Sequence, residues 1–117
     1  MQSFNTKPDD AATPVAAERK VIVGTIHDLR PGECTRFELP DGDELAVFNV
    51  DGEFYATGNF CPHRGAQLSE GALCGHVIEC GLHGWQFDVR TGQCLTVTET
   101  IKTYSLKVED GVISVEY

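Results

Sequence analysis

Two short stretches hold side chains able to bind a soft metal: Cys61-Pro62-His63-Arg64-Gly65 and Cys80-Gly81-Leu82-His83-Gly84, with 16 residues between His63 and Cys80. Each offers one thiolate and one neutral imidazole, spaced C-x-H in the first and C-x-x-H in the second. That pattern suits two loops closing on one site from opposite sides. Pro62 stiffens the first loop by fixing φ, while Gly65 and Gly84 let the backbone turn tightly and approach the site. A lone Cys-x-His says little, because Cys74-Gly75-His76 repeats it elsewhere in the same chain. The paired form with flanking glycines says much more. A single zinc would take Cys2His2 tetrahedrally, yet structural zinc sites usually present their cysteines and histidines in like pairs. A [2Fe–2S] cluster has two irons, and one Cys plus one His per loop lets both sulfurs bind one iron and both imidazoles the other. The mixed spacing favours the cluster, with a structural zinc module as the lesser alternative.

Positioning such loops is the work of short strands. From Lys20 onward, Pro31-Gly32, Asp41-Gly42, Asp51-Gly52, Thr91-Gly92 and Asp110-Gly111 punctuate the chain as in an all-β domain. Asp-Gly is a strong hairpin signal because both residues tolerate the positive φ of tight hairpin turns. The segments between predict strands at 21–26, 33–39, 44–50, 53–59, 77–79, 85–88, 103–109 and 112–117. Alternation is clearest in 103–109, where Tyr104, Leu106 and Val108 share one face. No window keeps a helical period, and 59–70 and 79–85 interrupt the strands without reading as ordinary turns. Residues 1–19, rich in Asp, Ala, Thr and Pro, predict a disordered tail ahead of one domain over 20–117. This tail has neither the charged and apolar regions of a signal peptide nor the acid-poor composition of a transit peptide.

Composition narrows the function. Nine Lys+Arg against 18 Asp+Glu in 117 residues give a formal charge of −9, which argues against nucleic acid and anionic membrane and favours a partner with a basic face. Apolar runs are too short to span a bilayer, so a soluble protein is expected. Five scattered cysteines, an odd count, do not read as a disulfide framework; a reducing cytoplasm fits better.

The two loops together resemble the Rieske cluster motif. The likeness continues through Gly58-Asn59-Phe60, Leu68-Ser69-Glu70-Gly71, Phe87-Asp88, Thr91-Gly92 and the closing run from Tyr104 to Gly111, covering about residues 20–117. In size and sequence the chain is similar to the small Rieske ferredoxins that feed ring-hydroxylating dioxygenases and related oxygenases. The resemblance implies an all-β Rieske fold of antiparallel β-sheets with a small cluster-binding subdomain formed by the two loops. It implies one [2Fe–2S] cluster, with Cys61 and Cys80 on the inner iron and His63 and His83 on the outer, solvent-facing one. Implied partners are an NAD(P)H-dependent ferredoxin reductase and a terminal oxygenase, and the carrier is expected to be a monomer.

Exchanging two thiolates for imidazoles leaves the oxidised cluster uncharged, which raises its potential into a range of roughly −150 to +300 mV. High-potential Rieske proteins of respiratory complexes carry an extra Cys in each loop, paired as a disulfide, and Ser and Tyr hydroxyls that donate to cluster sulfur. The corresponding positions here are Ala66, Leu82, Trp85 and Phe87, none of which can do either. A value near the low end, about −150 mV, is expected.

The chain is not expected to be an enzyme. An oxygenase needs a mononuclear iron held by two His and a carboxylate; here only His27 and His76 are left over, with no residues for a second domain. No G-x-G-x-x-G seats a nucleotide. The small subunit of an assimilatory nitrite reductase is the alternative carrier-like reading, and the full ligand set counts against it. Among the remaining residues, Phe60, Trp85 and Phe87 are expected to pack as aromatic core beneath the cluster, and Pro62 and Leu82 to form an apolar collar around it. Cys34, Cys74 and Cys94 read as buried small hydrophobes or idle thiols, and His27 as chemically silent. Only three residues separate His76 from Cys80, too few for a separate loop.

Overall fold

Strands form where the turn signals divide the sequence. The computed structural model describes residues 20–62, 65–81 and 84–117. The predicted tail over residues 1–19, and His63, Arg64, Leu82 and His83, lie outside the described residues. Nine strands are formed among the described residues: β1 Lys20–Thr25, β2 Cys34–Glu38, β3 Glu44–Val50, β4 Glu53–Gly58, β5 Ala72–Cys74, β6 Val77–Glu79, β7 Gln86–Asp88, β8 Thr103–Glu109 and β9 Val112–Glu116. A single 3-10 turn, Leu68–Glu70, is the one helical piece among them. One antiparallel sheet has the order β1-β9-β8-β4-β3-β2, and a smaller one the order β5-β6-β7. The expected all-β antiparallel architecture is therefore present. Strand β5 is the element the sequence concealed: three residues are too few to show alternation, and only pairing with β6, Leu73 opposite Ile78, makes them a strand.

Two of the Asp-Gly pairs make the turns predicted for them. Asp51-Gly52 joins β3 to β4 with Val50 opposite Glu53, and Asp110-Gly111 joins β8 to β9 with Glu109 opposite Val112. Both residues of each pair have positive φ, 52° and 94° in the first and 53° and 78° in the second, the mirror-image turn whose twist matches the flanking strands. Asp41-Gly42 instead sits in a longer loop between paired Glu38 and Glu44.

Strand β3 organises the interior. Its run from Leu45 to Val50 is buried throughout, so the period-2 alternation sends side chains into two separate cores. Leu45 and Val47 join Leu29, Leu39, Ala56 and Val115. Val23 of β1 and Phe37 of β2, from opposite edges of the large sheet, pack on that same core, so the sheet curls on itself. Ala46, Phe48 and Val50 point the other way, into a core shared with Cys61, Leu68, Ile78, Cys80, Phe87 and Val89. The second core lies between the large sheet and the small one. Both candidate cysteine ligands belong to it.

Candidate metal centre

The two Cys-bearing loops are built on one hydrogen-bonding plan. In the first, Phe60 and Gln67 form an antiparallel bridge, and between them the Cys61 N–H donates to the Ala66 carbonyl at 2.8 Å and the Gly65 N–H to the Cys61 carbonyl at 2.7 Å. In the second, Glu79 and Gln86 pair at the ends of β6 and β7, the Cys80 N–H donates to the Trp85 carbonyl at 2.7 Å and the Gly84 N–H to the Cys80 carbonyl at 3.0 Å. The glycine four residues after each Cys has the same positive φ, 72° at Gly65 and 73° at Gly84. A side chain with a Cβ would strain both positions, which explains why Gly recurs there. C-x-H and C-x-x-H thus occupy the same loop frame, with the His one place further along in the second.

Cys61 and Cys80 are each 1% exposed and pack in one apolar core. The backbone N–H and C=O of each are tied within its own loop, so neither cysteine can swing without breaking two hydrogen bonds. The structure thus brings Cys61 and Cys80 to one core, whereas His63 and His83, which follow them in sequence, lie outside the described residues. Two buried sulfurs on an apolar base, opening loops that each carry one imidazole, are a donor set that fits two irons unequally exposed to water.

The rival pair is dispersed. Cys74-Gly75-His76 is the β5–β6 hairpin, with Cys74 opposite Val77 and Gly75 at φ 59°. Cys74 is exposed, so it belongs to the idle-thiol half of its expectation, while the His76 ring packs edge-on against Tyr55 at 5.6 Å between centroids. Cys94 is buried. Cys34 is half-buried and donates through Sγ to the Ser69 carbonyl at 3.2 Å; burial, with the Glu33 charge adding, pushes its thiol up from the ordinary range. His27 is exposed after β1.

The aromatic expectation holds in part. Phe87 is fully buried and Trp85 packs on the same core, their rings 6.5 Å apart. Phe60 is 47% exposed and does not pack there. Buried Asn59 and Cys61 flank it, and extended backbone alternates, so with Cys61 inward Phe60 must face outward. Asn59 itself was not singled out as a site residue by the sequence. It is fully buried on the outgoing limb of the first loop and hydrogen-bonded to the return limb and to β3.

Comparison with known proteins decides which group this frame serves: residues 19–107 match the family model described as the Rieske [2Fe-2S] domain. The chain belongs to the Rieske [2Fe–2S] family. Its cofactor is one Rieske-type cluster. A ferredoxin component of a naphthalene 1,2-dioxygenase system from Pseudomonas aeruginosa is 44% identical over 91 residues, covering 68% of this chain and 88% of the relative. A chain solved in a complex of reduced oxygenase and oxidized ferredoxin in carbazole 1,9a-dioxygenase superposes with a TM-score of 0.78 at 36% identity, over 83% of this Rieske chain and 92% of the other. A nitrite reductase small subunit from Mycobacterium tuberculosis superposes with a TM-score of 0.80 at 25% identity, over 85% and 95%. No helix among the described residues is long and apolar enough to cross a membrane.

Proposed function

We propose that this chain is a one-electron carrier between an NAD(P)H-dependent ferredoxin reductase and a terminal ring-hydroxylating oxygenase, with a Rieske cluster of low potential held by Cys61, His63, Cys80 and His83. The observation that carries this reading is the matched pair of loops, each fixing a buried cysteine by the same two hydrogen bonds. The named function of the naphthalene dioxygenase ferredoxin component supports the carrier role, and the carbazole dioxygenase complex supports an oxygenase as partner. The nitrite reductase subunit is alike in fold and weaker in sequence, and the full ligand set favours the oxygenase-linked reading.

Bound there, the cluster supplies a site that accepts and releases one electron without bond making. Cys61 and Cys80 present their sulfurs from a dry core, excluding water on the inner side. The loop hydrogen bonds hold these groups in place, so little protein rearrangement accompanies the change of charge. Ala66, Trp85 and Phe87 bring no hydroxyl toward the sulfurs, which leaves the reduced state less stabilised and the potential low.

Single substitutions test the ligand set. Cys61→Ser, Cys80→Ser, His63→Asn and His83→Asn are each expected to lose the cluster or change its visible spectrum grossly, whereas His76→Asn and Cys74→Ser keep both iron content and spectrum. A colourless zinc-containing protein, or a Cys61→Ser variant with an unchanged spectrum, would overturn the assignment.

A further inference from the structure

The two loops share a hydrogen-bonding plan but differ at their roots. The second is rooted in a regular ladder, Val77 opposite Asp88, Ile78 opposite Phe87 and Glu79 opposite Gln86, with Ile78 and Phe87 fully buried. The first is rooted in the isolated Phe60–Gln67 bridge, because the returning strand leaves the ladder at once to form the Leu68–Glu70 turn. At the place equivalent to Ile78, two residues before the cysteine, stands Asn59, 0% exposed. A buried amide is costly unless its donors and acceptor find partners.

Those partners are all supplied, and they define a role. The Asn59 N–H donates to the Glu44 carbonyl at 3.0 Å, and its own carbonyl accepts from the Leu68 N–H at 2.6 Å. Its Oδ1 accepts from the Ser69 N–H at 2.9 Å, which stands in for the rung lost when the chain turns away. Its Nδ2 donates to Glu44 Oε1 at 3.3 Å and Gln67 Oε1 at 3.4 Å. Glu44, at the start of β3, is in turn fixed by Arg36 Nε at 2.9 Å. One side chain therefore joins both limbs of the first loop to the strand that separates the two cores.

We propose that Asn59 is the positioning residue of the cluster loop that carries Cys61 and His63, its amide replacing a missing rung of β ladder. This rests on the ligand assignment above. A leucine of similar size at position 59 would take the acceptor from the part-buried Ser69 N–H and leave the part-buried Glu44 carboxylate with Arg36 but without the amide donor. An aspartate would keep the acceptor for Ser69 but lose the donor and oppose Glu44. Pairing Asn59→Asp with Glu44→Gln restores a donor facing an acceptor.

The test uses holo-protein and two readouts, the rate of cluster loss to an iron chelator followed by visible absorbance, and the EPR spectrum of the reduced protein. Asn59→Leu is expected to lose its cluster about tenfold faster, as the loss of a buried hydrogen bond predicts, with a shifted or broadened EPR signal. Asn59→Asp should fall between, and Asn59→Asp with Glu44→Gln should recover toward the parent. Val115→Ala, in the other core, serves as the control that lowers thermal stability without moving the EPR signal. Should Asn59→Leu fail to fold, the aspartate variant and its rescue carry the test. Parental loss rates and spectra in the Asn59 variants, or a paired variant no better than Asn59→Asp, would overturn the proposal. If Cys61→Ser still abolishes the cluster in that case, the ligand assignment survives and only the role of Asn59 falls.

Discussion

Glu44 is the residue on which the first loop leans from below, and its charge is maintained by its neighbours. The Arg36 hydrogen bond holds its carboxyl below the usual carboxylate range, Asn59 adds to this, and partial burial opposes both. Glu38, opposite it across the β2–β3 ladder, and Asp43 beside it are like charges. A carboxyl depressed in the folded state stabilises that state at pH above its ordinary value of 4.5, and the contribution is lost as pH falls through the folded value. Thermal stability is thus expected to decline on acidification below about pH 4.5, and Glu44→Gln to flatten that part of the profile. Identical acid profiles for the two proteins would contradict this. At this scale the sequence was legible where residue type and spacing single out a pair, as for Cys61 and Cys80, which the structure brings to one core. Asn59 was not, because the value of a buried amide depends on where a ladder stops, and Phe60 misled because an aromatic beside a ligand can face either way.

Among the elements, the contact between the two loops turns on Gly71. It follows the Leu68–Glu70 turn, and its φ of −84° is open to any residue, so conformational freedom is not the reason for glycine. Space is the reason: a Cβ there would collide with the backbone carbonyl of Glu79, the residue just before Cys80. The return limb of the first loop and the strand leading to the second therefore approach as closely as backbones can. Gly71→Ala is expected to destabilise the fold by about 1–3 kcal/mol, since backbone must move to relieve the overlap, and to weaken cluster retention with it. Thermal unfolding indistinguishable from the parent would show that the limbs are not so closely apposed. Turn signals located most strands to within a residue or two, since Asp-Gly pairs act locally. Strand β5 and this close approach were hidden because both exist only through partners distant in sequence.

Across the whole molecule, β3 couples a base core to the core that holds Cys61 and Cys80, so the cysteine-bearing loops are braced by the large sheet. The formal charge of −9 counts both cysteines as neutral; with two thiolates and the oxidised cluster bound it is still −9, and one added electron makes it −10. For the carrier role proposed above, attraction to a basic partner surface would then be nearly the same in both redox states, leaving release after transfer to short-range contact. Family membership was readable from the sequence because loop motif and flanking residues together span the domain. A redox titration of the purified holo-protein, followed by visible absorbance and EPR, decides whether the chain carries a low-potential Rieske cluster. A single one-electron wave at about −150 mV, the low end of the Rieske range, is expected. A midpoint above about +100 mV, or a protein with no reducible chromophore, would contradict it.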